Sequence, residues 1–153
     1  MSQVKEMPVL ATKAFGTIEV RPEQLIRFPD GLFGFKTDTE YALLEEAPNA
    51  HFKWLQSTAN PSVAFVVIQP ELFMREPYRP SVSSAELDAI NVSSVAECLV
   101  FVIVTIPYNE PDKMTANLQG PILINAREAV GRQAISANDG HPVRYPILDR
   151  LED

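Results

Sequence analysis

Cysteine is almost absent from this sequence: Cys98 is the single one in 153 residues. An internal disulfide is therefore excluded, and the usage fits a reducing compartment. Histidine is nearly as scarce, and His51 and His141 lie far apart in the chain. A zinc site needs three or four Cys, His, Asp or Glu ligands at tight spacing, so no metal is expected. No Gly-x-Ser-x-Gly elbow occurs, and neither histidine has the neighbours of a triad. His141 follows Asp139 and Gly140 and reads as an exposed turn; His51 precedes Phe52 and reads as a strand end. Cys98 opens an apolar run and reads as a small buried hydrophobe. Glu45 and Glu46 are adjacent, so on a strand they point to opposite faces and are not poised for paired acid–base work. "GLFG" (31–34) lacks the flanking residues of a nucleotide-binding loop and reads as a turn. No catalytic residue and no cofactor are expected, and the chain does not read as an enzyme.

Long apolar runs are also missing. "CLVFVIVTI" (98–106) is the longest, about half of the roughly 20 residues that a membrane helix needs. The first residues, "MSQVKEMPVLATK", hold no long apolar core ahead of a small-residue cleavage site. A cytoplasmic protein without a membrane partner is expected.

Clustered positive charge is missing as well. Residues 1–36 hold five Lys/Arg and four Asp/Glu, residues 114–153 hold four and five, and these two parts cancel. Residues 37–113 hold four basic and eleven acidic residues and so carry the whole net charge of −7. A nucleic-acid binder displaces counterions with clustered Lys and Arg, and no such cluster exists, so direct nucleic-acid binding is not expected. An acidic middle favours encounter with a basic partner, or serves solubility alone.

What the chain does contain is β patterning. Apolar residues make up 46 %, enough for one domain with a core, and 13 spread prolines argue against long helices. "KAFGTIEV" (13–20) and "QLIRF" (24–28) read as a first strand pair. "FPDGLFGF" (28–35) reads as a turn tethered to the core by Phe28, Leu32, Phe33 and Phe35. "YALLE" reads as a short strand. "FKWLQ" (52–56) and "VAFVVI" (63–68) read as a hairpin around 57–62, the second strand buried on both faces. Helix is confined to short pieces, where Ser83 with Glu86 and Ser94 with Glu97 have the spacing of capping boxes. These elements predict a mainly β fold: a small closed or nearly closed antiparallel β-barrel-like domain with short helices between residues 83 and 97. Strand patterning assigns Leu25, Phe28, Trp54, Phe65, Val67, Phe101, Ile103, Ile122 and Ile124 to its core. The expected organisation is an N-terminal extension (1–12), a single domain (13–149) and a C-terminal tail (150–153).

"MTANLQGPILIN" (114–125) has two readings. Pro121 cannot donate to a ladder and suits the first position of a strand, with Gly120 supplying the bend. Thr115 and Asn117 then bond backbone groups of a tight loop as Ile122, Leu123 and Ile124 enter the core. Alternatively, Asn117 also lines a partner surface.

Five motifs, "FPDGLFGF", "FKWLQS", "NPSVAFVVIQP", "MTANLQGPILIN" and "GRQAI", resemble in order and spacing the bacterial flagellar assembly factor family, FliW. The resemblance covers about residues 12–148. Phe33 stands where the family often has proline, Asn60 where it often has aspartate, and Ser136 follows Ile135 where an apolar residue is common. The resemblance implies a non-enzymatic β protein that binds the carbon storage regulator CsrA, a small basic RNA-binding dimer. That binding would stop CsrA from repressing flagellin mRNA translation, and flagellin, a second partner, would release CsrA in a switch. The alternative is a small-ligand-binding β-barrel or an unrecognised enzyme. Candidate partner-binding residues are Gln56, Ser57, Asn60 and Pro61 in a polar, proline-stiffened loop, and, outside that loop, Glu71 and Asn117.

Overall fold

The structure, a computed structural model, describes residues 9–45 and 50–148. Glu46 and the tail 150–153 fall outside the described residues.

The described residues begin with a hairpin, β1 (Val9–Thr12) against β2 (Gly16–Glu19), set apart as its own two-stranded sheet. Its turn is held by Thr12, whose Oγ1 accepts from Phe15 N at 2.8 Å and donates to Gly16 O at 2.8 Å. Gly16 has φ +68, which an L side chain rarely adopts. This corrects the expected first pair. The partner of 16–19 is 9–12, part of the stretch read as an extension, and not 24–28. Leu10, only 5 % exposed, turns inward on Ala42 and Leu44 and makes this segment part of the packed structure.

Pro22 starts a 3-10 turn that leads into β3 (Leu25–Arg27). Then follow β4 (Glu40–Glu45), β5 (Phe52–Ser57), β6 (Ala64–Ile68), a short helix α1 (Ser84–Asp88), β7 (Leu99–Thr105), β8 (Thr115–Ala116), β9 (Ile122–Asn125), β10 (Val130–Gln133) and β11 (Tyr145–Pro146). β3, β4, β5, β6 and β7 pair in sequence; β7 pairs β9, β9 pairs β10, and β10 returns to β3. Seven strands thus close into a barrel, as the patterning predicts. All pairings are antiparallel except the closing seam, where Val130 pairs Arg27 in parallel. β8 and β11 extend β7 outward, and the chain around them covers the barrel's flank.

The interior is filled. Phe28, Tyr41, Leu55, Val67, Phe101, Ile122 and Ile124 form one buried cluster, and Phe28 meets Tyr41 edge-on at 5.5 Å. Five of the nine expected core residues lie here: Phe28, Val67, Phe101, Ile122 and Ile124. Phe65 and Ile103 are half-buried against them. Leu25 and Trp54 are instead half-buried on the outer face, under the β1–β2 hairpin. Successive strand residues point to opposite faces, so inward-facing Leu55 sends Trp54 outward.

The two expected capping boxes differ in outcome: the one at Ser94 and Glu97 forms, and the one at Ser83 and Glu86 forms only in half. Ser83 Oγ accepts from Glu86 N at 3.3 Å, and Glu97 Oε2 accepts from Ser93 N and Ser94 N at 2.7 and 2.9 Å. Glu86 does not reach back to its own cap. It takes Arg132 Nε at 3.1 Å and Ile135 N at 3.2 Å, while Arg132 Nη1 also holds Asp30. α1 is thereby pinned to the barrel wall and to the 28–35 turn.

Candidate functional site

Strand direction sorts the loops to two ends of the barrel. The 28–39 turn and the β5–β6 loop leave the end where β3 finishes and β6 begins. The β5–β6 loop is rigid because buried polar groups frame it. Ser57 is fully buried; its Oγ accepts from Asn60 N at 3.1 Å and Ala59 N at 3.3 Å and donates to Asp38 Oδ1 at 2.7 Å. Gln56 is also fully buried, with Nε2 within 3.1–3.3 Å of the carbonyls of Ser57, Asn60, Pro61 and Val63. Thr58 Oγ1 donates to Glu40 Oε1 at 2.9 Å, and Lys13 N, in the β1–β2 turn, donates to Pro61 O at 3.0 Å.

Two of the candidate residues are corrected by this geometry. Gln56 and Ser57 present no surface to a partner, because both are fully buried; Gln56 Oε1 has no hydrogen-bond partner among the described residues. Asn60 and Pro61 are exposed at its tip. Asn60 Oδ1 accepts from Ser62 N at 3.1 Å, which fixes its side chain while leaving its amide donors outward.

The 28–35 turn stands at the same end, joined to the loop through Asp38, and shows what sequence reasoning missed. Phe28 and Leu32 are buried as expected, but Phe33 and Phe35 are 49 % and 39 % exposed. Gly31 has φ +65, and a Cβ there would stand 2.5 Å from Phe35 O, so the chain doubles back tightly. Phe35 N donates to Leu32 O at 2.8 Å, and Phe33 N to Gln133 Oε1 at 2.9 Å. With Leu32 inward, Phe33 is turned outward; Phe35 leans edge-on against Phe65 at 5.1 Å. Phenylalanines on both sides of an open Gly34 were the available signal.

Asn117 builds its loop. Its Oδ1 accepts from Gly120 N at 2.9 Å and Gln119 N at 3.0 Å, and its side chain is half-buried. Gly120 is tight because a Cβ would lie 2.9 Å from Gln133 Nε2 and 3.0 Å from Asn117 Nδ2. Gln133 links this loop to Phe33, so Asn117 belongs to the Asn60 end. Glu71 does not: it follows β6 and sits, exposed, at the opposite end.

His141 is half-buried rather than an exposed turn residue. Its ring lies 4.8 Å from that of Tyr78, and its Nδ1 is 2.9 Å from Ser136 Oγ. Ser136 Oγ already accepts from Ser81 N and Asn138 N, so its hydrogen must go to an unprotonated Nδ1. Burial lowers the His141 pKa from its ordinary 6.5. Tyr41, first by burial and then by the nearby Asp38, is pushed far above the ordinary phenol range, and Cys98 is raised by burial and Glu97. Among the described residues no three His, Cys, Asp or Glu side chains come together.

The fold and its loops define a small closed β-barrel that presents, at one end, two exposed phenylalanines beside a stiff Asn-Pro tip. The chain belongs to the FliW family, whose description, FliW protein, matches residues 9–147. It is 49 % identical over 142 residues to the flagellar assembly factor FliW of Leptospira biflexa serovar Patoc, covering 93 % of this chain and 92 % of that one. Against the flagellar assembly factor FliW of Thermoanaerobacter pseudethanolicus it is 38 % identical, covering 93 % and 94 %. A crystal structure of the flagellar assembly factor FliW superposes with a TM-score of 0.80 at 29 % identity, covering 91 % of this chain and 96 % of that one. The family name is not an enzymatic one, and no helix among the described residues is long and apolar enough to cross a membrane.

Proposed function

We propose that this chain is a cytoplasmic, non-enzymatic antagonist of CsrA. It binds that basic RNA-binding regulator, stops it from repressing flagellin mRNA translation, and releases it when flagellin binds. It touches no RNA itself and needs no cofactor. The observation that carries the reading is the placement of charge: residues 37–113 hold the whole −7 and also hold the exposed Asn60–Pro61 tip. A rigid tip loses little entropy on binding, and exposed aromatics beside it are the residue type that dominates protein interfaces. Asn60, Pro61, Phe33 and Phe35 form the contact; Gln56, Ser57 and Asn117 hold its shape.

The test is capture of CsrA by the purified chain, with no added small molecule, and its displacement by flagellin. Asn60→Asp should keep binding, whereas Asn60→Lys sets like charge against a basic partner and should weaken it. Both sit on an exposed tip, so stability should move by no more than about 0.5 kcal/mol. If Asn60→Lys captures CsrA as well as the parent chain, the contact is not at this end.

A further inference from the structure

A second surface lies at the opposite end of the barrel. A cleft of about 470 Å³ opens between residues 70–78, which follow β6, and residues 95–100, which lead into β7. Its origin is a seam between two packed clusters. Met74 and Tyr78 are half-buried against the cluster of Ile68, Phe73 and Val102. Val95, Cys98 and Val100 are half-buried against that of Leu87, Ile90 and Leu123. Neither cluster closes over the gap, so both leave apolar surface in it.

The walls are stiff and the lip is acidic. Pro70 and Pro77 line one wall and restrict its backbone. Glu71 and Glu76 stand on that wall, both exposed, and neither joins a hydrogen bond or ion pair among the described residues. Glu97, between the lining residues Ala96 and Cys98, does not line the cleft; its carboxylate caps Ser93 N and Ser94 N. Arg75 lines the cleft too and is not free. Two carboxylates against one guanidinium leave the lip negative, around a floor holding an adaptable methionine and a tyrosine.

We propose that this cleft docks an extended peptide segment in which a bulky apolar residue is flanked by Lys or Arg. The apolar side chain fills the seam over Met74, Tyr78 and Val100, and the flanking cations meet Glu71 and Glu76. This surface stands apart from the Asn60 end, so its binding is measured without CsrA and without reference to the function proposed above.

The sole cysteine reports on occupancy, because Cys98 lines the cleft. The probe is acetyl-Lys-Leu-Lys-Phe-Lys-amide, titrated into the full chain beside acetyl-Glu-Leu-Glu-Phe-Glu-amide. The basic peptide should shift the Met74 methyl and Tyr78 ring NMR signals saturably and slow alkylation of Cys98 by N-ethylmaleimide several-fold; the acidic peptide should do neither. The double variant Glu71→Lys/Glu76→Lys, at exposed positions, should melt like the parent and weaken the basic peptide by about fivefold or more. Unchanged alkylation at saturating basic peptide would overturn the proposal. So would equal protection by the acidic peptide, shifts confined to Phe33 and Phe35, or full affinity in the double variant.

Discussion

Replacing Ser57 by alanine separates a residue that shapes the binding loop from one that touches a partner. The Ser57 hydroxyl makes three hydrogen bonds from a fully buried position: two accepted from backbone N–H groups and one given to Asp38. Alanine leaves the N–H groups of Ala59 and Asn60 without this acceptor and the Asp38 carboxylate without this donor. A buried orphaned polar group costs about 1–3 kcal/mol, and Ala59 and Asn60 are exposed enough for water to replace part of that. Because the three bonds share one atom they do not add in full, and about 2–3 kcal/mol is expected. With a urea dependence of about 1–3 kcal/mol per molar, the unfolding midpoint should fall by roughly 0.7–3 M. A domain of about 5–15 kcal/mol stays folded in buffer, so CsrA capture can be measured on the same preparation. A Ser57→Ala/Asp38→Ala cycle should show coupling, since either variant removes the Ser57–Asp38 bond. An unchanged midpoint would refute the framing role. An unchanged midpoint with capture lost would return Ser57 to the contact surface.

Three further outcomes follow from the geometry. Gly131→Ala places a methyl 2.7 Å from Phe28 Cε2 and 3.1 Å from Leu123 O. It should cost about 1–3 kcal/mol by urea unfolding, with Phe28→Leu in the same chain recovering part of it. His141 is held neutral by burial, so its folded pKa lies below 6.5. As pH falls through 6.5 the unfolded chain takes up a proton that the folded chain resists, and stability drains until the folded pKa is passed. Thermal melts should show that slope in the parent and lose it in His141→Gln. Finally, the rate of association with CsrA should fall as salt rises, because the Debye length is about 10 Å at 0.1 M; a flat rate would leave the −7 to solubility alone.

The barrel was legible because its strands are short, apolar and separated by turn chemistry. Pro29, Asp30 and Gly31 announced one turn, and the 57–62 spacing announced a longer loop. Local signals cannot name partners, however. Apolar patterning alone pairs the strand at 16–19 with the next apolar run, whereas its partner is the run before it. Only Leu10 and Thr12 of that earlier strand are buried, so its pattern is weak. The parallel seam of β10 on β3 joins residues about a hundred positions apart and leaves no local trace. Trp54 against Leu55 was a question of face, and apolar letters on both faces of a strand cannot settle it.

The site was legible in place and not in detail. The loop between β5 and β6 was identified, yet a polar residue in a loop is either framework or surface, and burial alone decides between them. Gln56 and Ser57 turned inward to satisfy the backbone, as Asn117 did beside Gly120, while Asn60 and Pro61 turned out. Strand direction then separates residues that sit close in sequence. β6 is five residues long, about 16 Å at the usual rise, so Asn60 and Glu71 face opposite ends of the barrel. Between them the interior is close-packed, with Phe28, Tyr41, Leu55 and Phe101 buried. Coupling between distant sites needs an element with two discrete arrangements, and this interior shows a single one. On the proposed function, exchange of CsrA for flagellin is therefore competition for the Asn60 end. A basic peptide saturating the cleft beside Cys98 then leaves the affinity for CsrA unchanged, and a change in that affinity would mean that the barrel itself deforms.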